Sequence, residues 1–147
     1  MSIPREGRIV AVDWGEVRLG LALSDERQFL ASPLGALVRR PGKRFPMPAF
    51  LSHLAAASPV GIVVGHPLDL SGAEGESAFA ARELAEVLAL RTRLPVELVD
   101  ERLTTVRAHR AIRDQQGSTR GRREDVDALA ASILLQGFLD MRRGSST

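Results

Sequence analysis

The sequence predicts an α/β fold built on one mixed sheet of five strands flanked by helices. Ile9-Val10-Ala11-Val12 and Val60-Gly61-Ile62-Val63-Val64 are short, unbroken apolar runs bounded by turn signals, which suits strands covered on both faces in the middle of a sheet. Arg18-Leu19-Gly20-Leu21-Ala22-Leu23-Ser24 alternates large with small residues after a turn short enough for a hairpin, so a second strand runs antiparallel to the first. From residue 48 onward helical and strand patterns alternate, as they do where helices cross over a sheet and cover it.

Each element has a local cause. Gly15 supplies the backbone freedom for the turn after the first strand. The leucines of the second strand pave one face, while Gly20, Ala22 and Ser24 leave the other open to close packing. A third strand falls within Leu30 to Val38, and Pro33, with no N–H to donate, either breaks part of it or places it at an edge. Residues 39 to 48 form a basic loop punctuated by proline and glycine. A helix follows from about Pro48 to Ala57, with Phe50, Leu51, Leu54 and Ala55 on one side. The run at 60 to 64 ends in Gly65-His66-Pro67-Leu68-Asp69-Leu70-Ser71-Gly72, through which no strand continues. Residues 74 to 91 favour a helix by propensity, with Ala81, Leu84 and Leu88 on one face. Pro95 to Val99 makes the fifth strand, followed at once by Asp100-Glu101. Thr104 and Thr105 suit the cap of a helix reaching about Gln115, and Gly117 and Ser118 open an arginine-rich loop. The last helix spans about Asp125 to Met141. Residues 1–141 form a single domain, and 142–147 a loose polar tail.

The totals narrow the function classes. A chain of 147 residues at 44% hydrophobic is one globular domain with a substantial core. The absence of cysteine excludes a disulfide framework and a thiolate zinc site. The opening residues are charged where an export signal needs an apolar stretch, and no run approaches the roughly 18 apolar residues of a membrane span. A soluble, cytoplasmic protein without membrane contact is expected. The formal charge of +2 conceals a division: residues 101 to 123 hold seven arginines against Glu101 and Asp114, or +5, leaving −3 elsewhere. Positive charge gathered in one segment points to a polyanionic partner such as nucleic acid.

The last helix discriminates most sharply. At ~100° per residue, Asp125, Ser132, Gln136, Asp140 and Arg143 share a polar face. Val126, Ala130, Ile133, Leu134, Gly137, Phe138 and Met141 cover the other side, and Asp127 falls among them. An ionised carboxylate on a buried face costs several kcal/mol unless it is paired or bound to metal. In one account Asp127 is an N-terminal helix residue favoured by the macrodipole and near solvent. In the other it faces the sheet edge where Asp13 and Asp100-Glu101 end their strands. Acids brought together there would raise one another's pKa values, and a divalent cation would remove the repulsion. Oxygen ligands without cysteine or clustered histidine favour Mg²⁺ or Mn²⁺, which serve phosphodiester cleavage.

Four ordered segments carry a resemblance: Val-Asp-Trp-Gly-Glu-Val-Arg-Leu-Gly-Leu-Ala (12–22), Val-Val-Gly-His-Pro-Leu-Asp-Leu-Ser-Gly (63–72), Val-Asp-Glu-Arg-Leu-Thr-Thr (99–105) and Val-Asp-Ala-Leu-Ala-Ala-Ser-Ile-Leu-Leu (126–135). Together they resemble the bacterial YqgF family of pre-16S ribosomal RNA nucleases, also described as Holliday-junction-resolvase-like. The resemblance implies an RNase H-like fold, with the second strand antiparallel in a five-stranded sheet, and a metal-dependent nuclease acting on ribosomal RNA precursor. The family's acids map onto Asp13, Glu101 and Asp127, as catalytic residues and as ligands for Mg²⁺ or Mn²⁺. Asp100 is the second choice, because it points away from Glu101 if the strand continues. Trp14, Glu16, His66 and Asp125 depart from the family's usual residues; Glu16 and Asp125 add negative charge near a phosphate site. The same acids would serve a resolvase cutting branched DNA, and a non-catalytic nucleic-acid-binding factor could keep the fold without the chemistry.

For the substrate, Arg102 stands ready to hold a neighbouring acid or a phosphate. Arg107, Arg110 and Arg113 share a helix face, either solvated or laid along a nucleic-acid backbone. Gly65 and Gly72 bracket a loop whose amides could approach a phosphate, or they are turn formers. His66 is the one histidine near this edge, and Trp14 the one aromatic suited to stacking on a base. RNA is the partner implied by the resemblance; pairing of the chain with itself stays open.

Overall fold

The computed structural model describes residues 2–15, 18–40, 44–103 and 122–145. In chain order these are β1 (Ile9–Trp14), β2 (Arg18–Ser24), β3 (Ala31–Val38), α1 (Met47–Ala57), β4 (Gly61–His66), α2 (Glu76–Thr92), β5 (Val96–Asp100), a 3-10 turn (Glu101–Leu103) and α3 (Arg122–Ser145). The helix expected at 105 to 115, with Arg107, Arg110 and Arg113, lies outside the described residues. No described helix is long and apolar enough to cross a membrane.

The five strands form one sheet in the order β3-β2-β1-β4-β5. β1 is antiparallel to β2 and parallel to β4, and β4 is parallel to β5. β3 pairs only with β2 among the described strands, at an edge, which is one of the two outcomes that Pro33 left open. The register between β2 and β3 slips at Leu21/Ala22, opposite Gly35 and Pro33, so the missing donor falls at an irregularity.

Why the central runs are apolar without alternation is now visible, since β1 and β4 lie under helices on both faces. Ile9, Ala11, Ala22, Val63 and Val99 face α3, which presents Ala130, Ala131, Leu134, Leu135, Phe138 and Leu139. Val10, Val12, Leu19, Leu21, Ile62 and Val64 face Phe50 and Leu54 of α1 and Ala81, Leu84, Ala85 and Leu88 of α2. α1 begins with proline in its first turn and stops at Ser58, whose left-handed backbone (φ 48°) turns its N–H onto Leu54 O.

α3 differs from expectation in two respects. Its buried face is turned by about one residue from the wheel: Ser132 is buried, its hydroxyl donating to Leu129 O at 2.7 Å, whereas Met141 is 50% exposed. The cause is the small second strand, which draws Ala128 and Ala131 inward. The helix also continues past Met141 to Ser145, replacing the start of the expected loose tail, and it begins at Arg122, inside the expected arginine-rich loop. Its last turn is held from outside, because Arg142 Nη2 donates to Ile3 O at 2.9 Å and Arg143 Nη1 to Gln28 O at 3.1 Å.

The tightest contact between layers is at Gly20, the register partner of Asp13. A Cβ on Gly20 would lie 1.9 Å from Asp127 O and 2.5 Å from Asp127 C, so α3 crosses β2 backbone to backbone. Gly20→Ala is therefore expected to lift the helix and destabilise the fold by about 3 kcal/mol or more, read as a lower urea midpoint at unchanged slope.

Candidate active site

The close approach at Gly20 delivers Asp127 to the carboxyl end of β1. Asp13 lies two residues beyond Ala11, so strand alternation turns it to the α3 side. Val99 of β5 faces the same side, and Glu101, two residues on, brings its carboxylate over β4: a Cβ on Gly65 would sit 2.4 Å from Glu101 Oε1 and 3.2 Å from Leu134 Cδ2. Gly65 thus clears room for a neighbouring acid. Asp13, Glu101 and Asp127 are 2%, 1% and 3% exposed.

Three buried carboxylates on one side of one sheet edge are costly unless positive charge meets them. Arg18 meets one, its Nε 3.2 Å from Asp127 Oδ2. Sequence reasoning missed Arg18, although a signal existed: it shares the parity of Gly20, Ala22 and Ser24, the small-residue face on which α3 packs. Asp13 Oδ2 and Glu101 Oε1 are buried atoms that take no hydrogen bond among the described residues. No three His, Asp or Glu side chains among the described residues are drawn to metal-ligating spacing. The donors themselves, carboxylate oxygens without sulfur, fit a hard divalent cation.

On the opposite side of the edge the charges are paired. Asp100 turns away from Glu101 and receives Arg102, with Nη2 2.7 Å and Nε 3.0 Å from Asp100 Oδ2. Of the two roles open to Arg102, holding a neighbouring acid is the one formed here. The Arg102 guanidinium keeps the Asp100 carboxyl below its ordinary value, against a smaller opposing effect of burial. His66, the register neighbour of Asp100, pairs with Glu74 at 2.9 Å, and Glu74 also holds Arg82 at 3.0 Å. Those two partners lower the Glu74 carboxyl, Arg82 more than His66.

The glycine-bracketed loop is closed upon Asp69. Its Oδ1 accepts from Ser71 N at 3.0 Å and Ala73 N at 2.8 Å, and its carbonyl accepts from Gly72 N at 2.9 Å. Of the amides expected to approach a phosphate, that of Gly72 is engaged by the carbonyl of Asp69, as its neighbours Ser71 and Ala73 are by the Asp69 carboxylate. Gly72, at φ 90°, also places its backbone beneath Arg102, so close that a Cβ on Gly72 would lie 3.3 Å from Nη1. Trp14, next to Asp13, lies against Phe45 with ring centroids 5.4 Å apart, and Arg39 covers its face at 4.0 Å.

Similar solved structures establish the fold class. RuvC from Thermus thermophilus, in a structure with Holliday junction substrate, matches at TM-score 0.57 and 18% identity, covering 94% of this chain and 96% of that one. A second Thermus thermophilus RuvC structure matches at TM-score 0.55 and 18% identity, over 93% and 96%. The fold is RNase H-like. The family model described as RuvX, Holliday junction resolvase, matches residues 7–141. Proteins named "Putative pre-16S rRNA nuclease" are 43% identical in Koribacter versatilis, over 92% of this chain and 88% of that protein, and 43% identical in an Anaeromyxobacter species, over 92% and 98%. The chain belongs to the RuvX family, the YqgF family whose motifs it carries.

The Asp100 pair has a testable sign. Its folded pKa is depressed, so its contribution to stability is complete above the ordinary 3.8 and is lost as pH falls through the lowered value. Arg102→Ala is expected to return the Asp100 titration, followed by carboxyl NMR, toward 3.8.

Proposed function

We propose that the chain is a cytoplasmic, metal-dependent nuclease that hydrolyses phosphodiester bonds in ribosomal RNA precursor. The observation that carries this reading is the burial of Asp13, Glu101 and Asp127, each at most 3% exposed, on one side of one sheet edge in a member of the RuvX family. These three would hold Mg²⁺ or Mn²⁺. Bound there, such an ion supplies an activated hydroxide and shields the charge that develops on the leaving oxygen. The protein's own part is to position. Gly20 sets the depth of Asp127, Gly65 makes space for the Glu101 carboxylate, and the β1 ladder aims Asp13. Arg102, at the exposed rim, and Arg107 and Arg110, which follow it in the basic segment, guide the phosphate backbone, with Gly72 packed beneath Arg102.

Cleavage of branched DNA is the second reading, favoured by the Holliday junction resolvase description of the family model. Competition between a four-way DNA junction and a pre-16S RNA fragment at one salt concentration separates the two, since backbone affinity alone varies steeply with salt.

Asp13→Asn tests the site itself. Loss of the outer partners of a metal ligand commonly costs about 10–100-fold, so removing a ligand's charge is expected to lower metal-dependent cleavage by at least ~100-fold, while circular dichroism shows an intact fold. A variant that cleaves at the wild-type rate sinks the assignment.

A further inference from the structure

We infer that Arg18 is an internal counter-cation for Asp127, competing with the divalent ion for that carboxylate and so setting the metal concentration at which the site fills. The inference rests on the metal-site reading above. Arg18 Nε lies 3.2 Å from Asp127 Oδ2, and the pair is enclosed, with side chains 21% and 4% exposed. Its placement follows from the fold. β2 begins at Arg18, and alternation puts Arg18 on the side of Gly20, where the α3 backbone descends at Asp127. One close approach brings both the acid and its cation.

A metal ion on Asp127 requires a carboxylate oxygen at about 2.1 Å and adds two positive charges beside the guanidinium. The two cations are drawn to the same group and repel each other, and at this degree of enclosure salt screens them little. By linkage, each weakens the other's hold by the same factor. A merely structural pairing, one that only ties α3 to β2, makes a different forecast: lower stability without Arg18, and no change in metal affinity. The helix already has its anchor in the Gly20 contact and the apolar layer from Ala130 to Leu139.

Mn²⁺ titrations of the full chain by calorimetry decide between them. Arg18→Gln is expected to bind Mn²⁺ about 10-fold tighter than wild type, and Mn²⁺ to raise its Tm by more. Arg18→Lys keeps the charge and should stay within about 3-fold of wild type. The wild-type protein provides a readout without any variant: the Arg18 Nε–H resonance, protected by its bond to Asp127, shifts and exchanges faster as Mg²⁺ is added. Equal Mn²⁺ affinity in wild type and Arg18→Gln, or, should that variant fail to fold, an Arg18 resonance unmoved by Mg²⁺, overturns the inference and leaves the metal site standing. Absence of Mn²⁺ binding in wild type and both variants overturns the metal-site reading, and this inference with it.

Discussion

The structure depends on one contact between backbones, where α3 meets β2 at Gly20. Any side chain there would collide with the carbonyl of Asp127. The apolar layer under α3 is built from alanines and leucines whose fit assumes that separation, and Ala22 and Ala11 on the sheet continue the same small surface. The depth of Asp127 and its distance to Arg18 both follow from how far the helix can descend.

Burial of acid at this edge is a local conflict that the rest of the fold tolerates. Two apolar layers cover the sheet from both sides, and Asp13 ends β1, a central strand covered on both faces. A charged group at the end of such a strand has firm neighbours on every side, so its position is set by the sheet rather than by its own preference for water. Local conflict set within global consistency is the pattern of a functional site.

The two sides of the edge handle charge in opposite ways. Toward α1 and α2, Asp100 has Arg102, and Glu74 has both His66 and Arg82, so acids there are lowered by direct partners. Toward α3, acids are buried more deeply, and the cation that meets Asp127 comes from the start of β2. Consecutive residues, Asp100 and Glu101, separate into these two environments because β5 ends between them.

The order of elements along the chain, the antiparallel second strand and the two-sided cover of β1 and β4 were legible in the sequence, because apolar periodicity and turn signals act within a few residues, whereas the spatial order of the strands came from their pairing. Asp13 and Asp127 stood out as acids where a strand ends or a helix should be apolar, whereas the choice of Glu101 over Asp100 came from the resemblance carried by the four motifs; all three acids are buried. Arg18 was not legible, since its role depends on a partner 109 residues away. Nor could Gly65 and Gly72 be told apart, one making room for a carboxylate and the other lying under an arginine in a loop already closed by Asp69. The exact face of α3 and its extension to Ser145 were equally beyond reach, because small residues on β2 and the carbonyls of Ile3 and Gln28 decide them. Local pattern determined which elements form and which acids are out of place; only the packed structure, through distances between segments far apart in the chain, decided which charges meet.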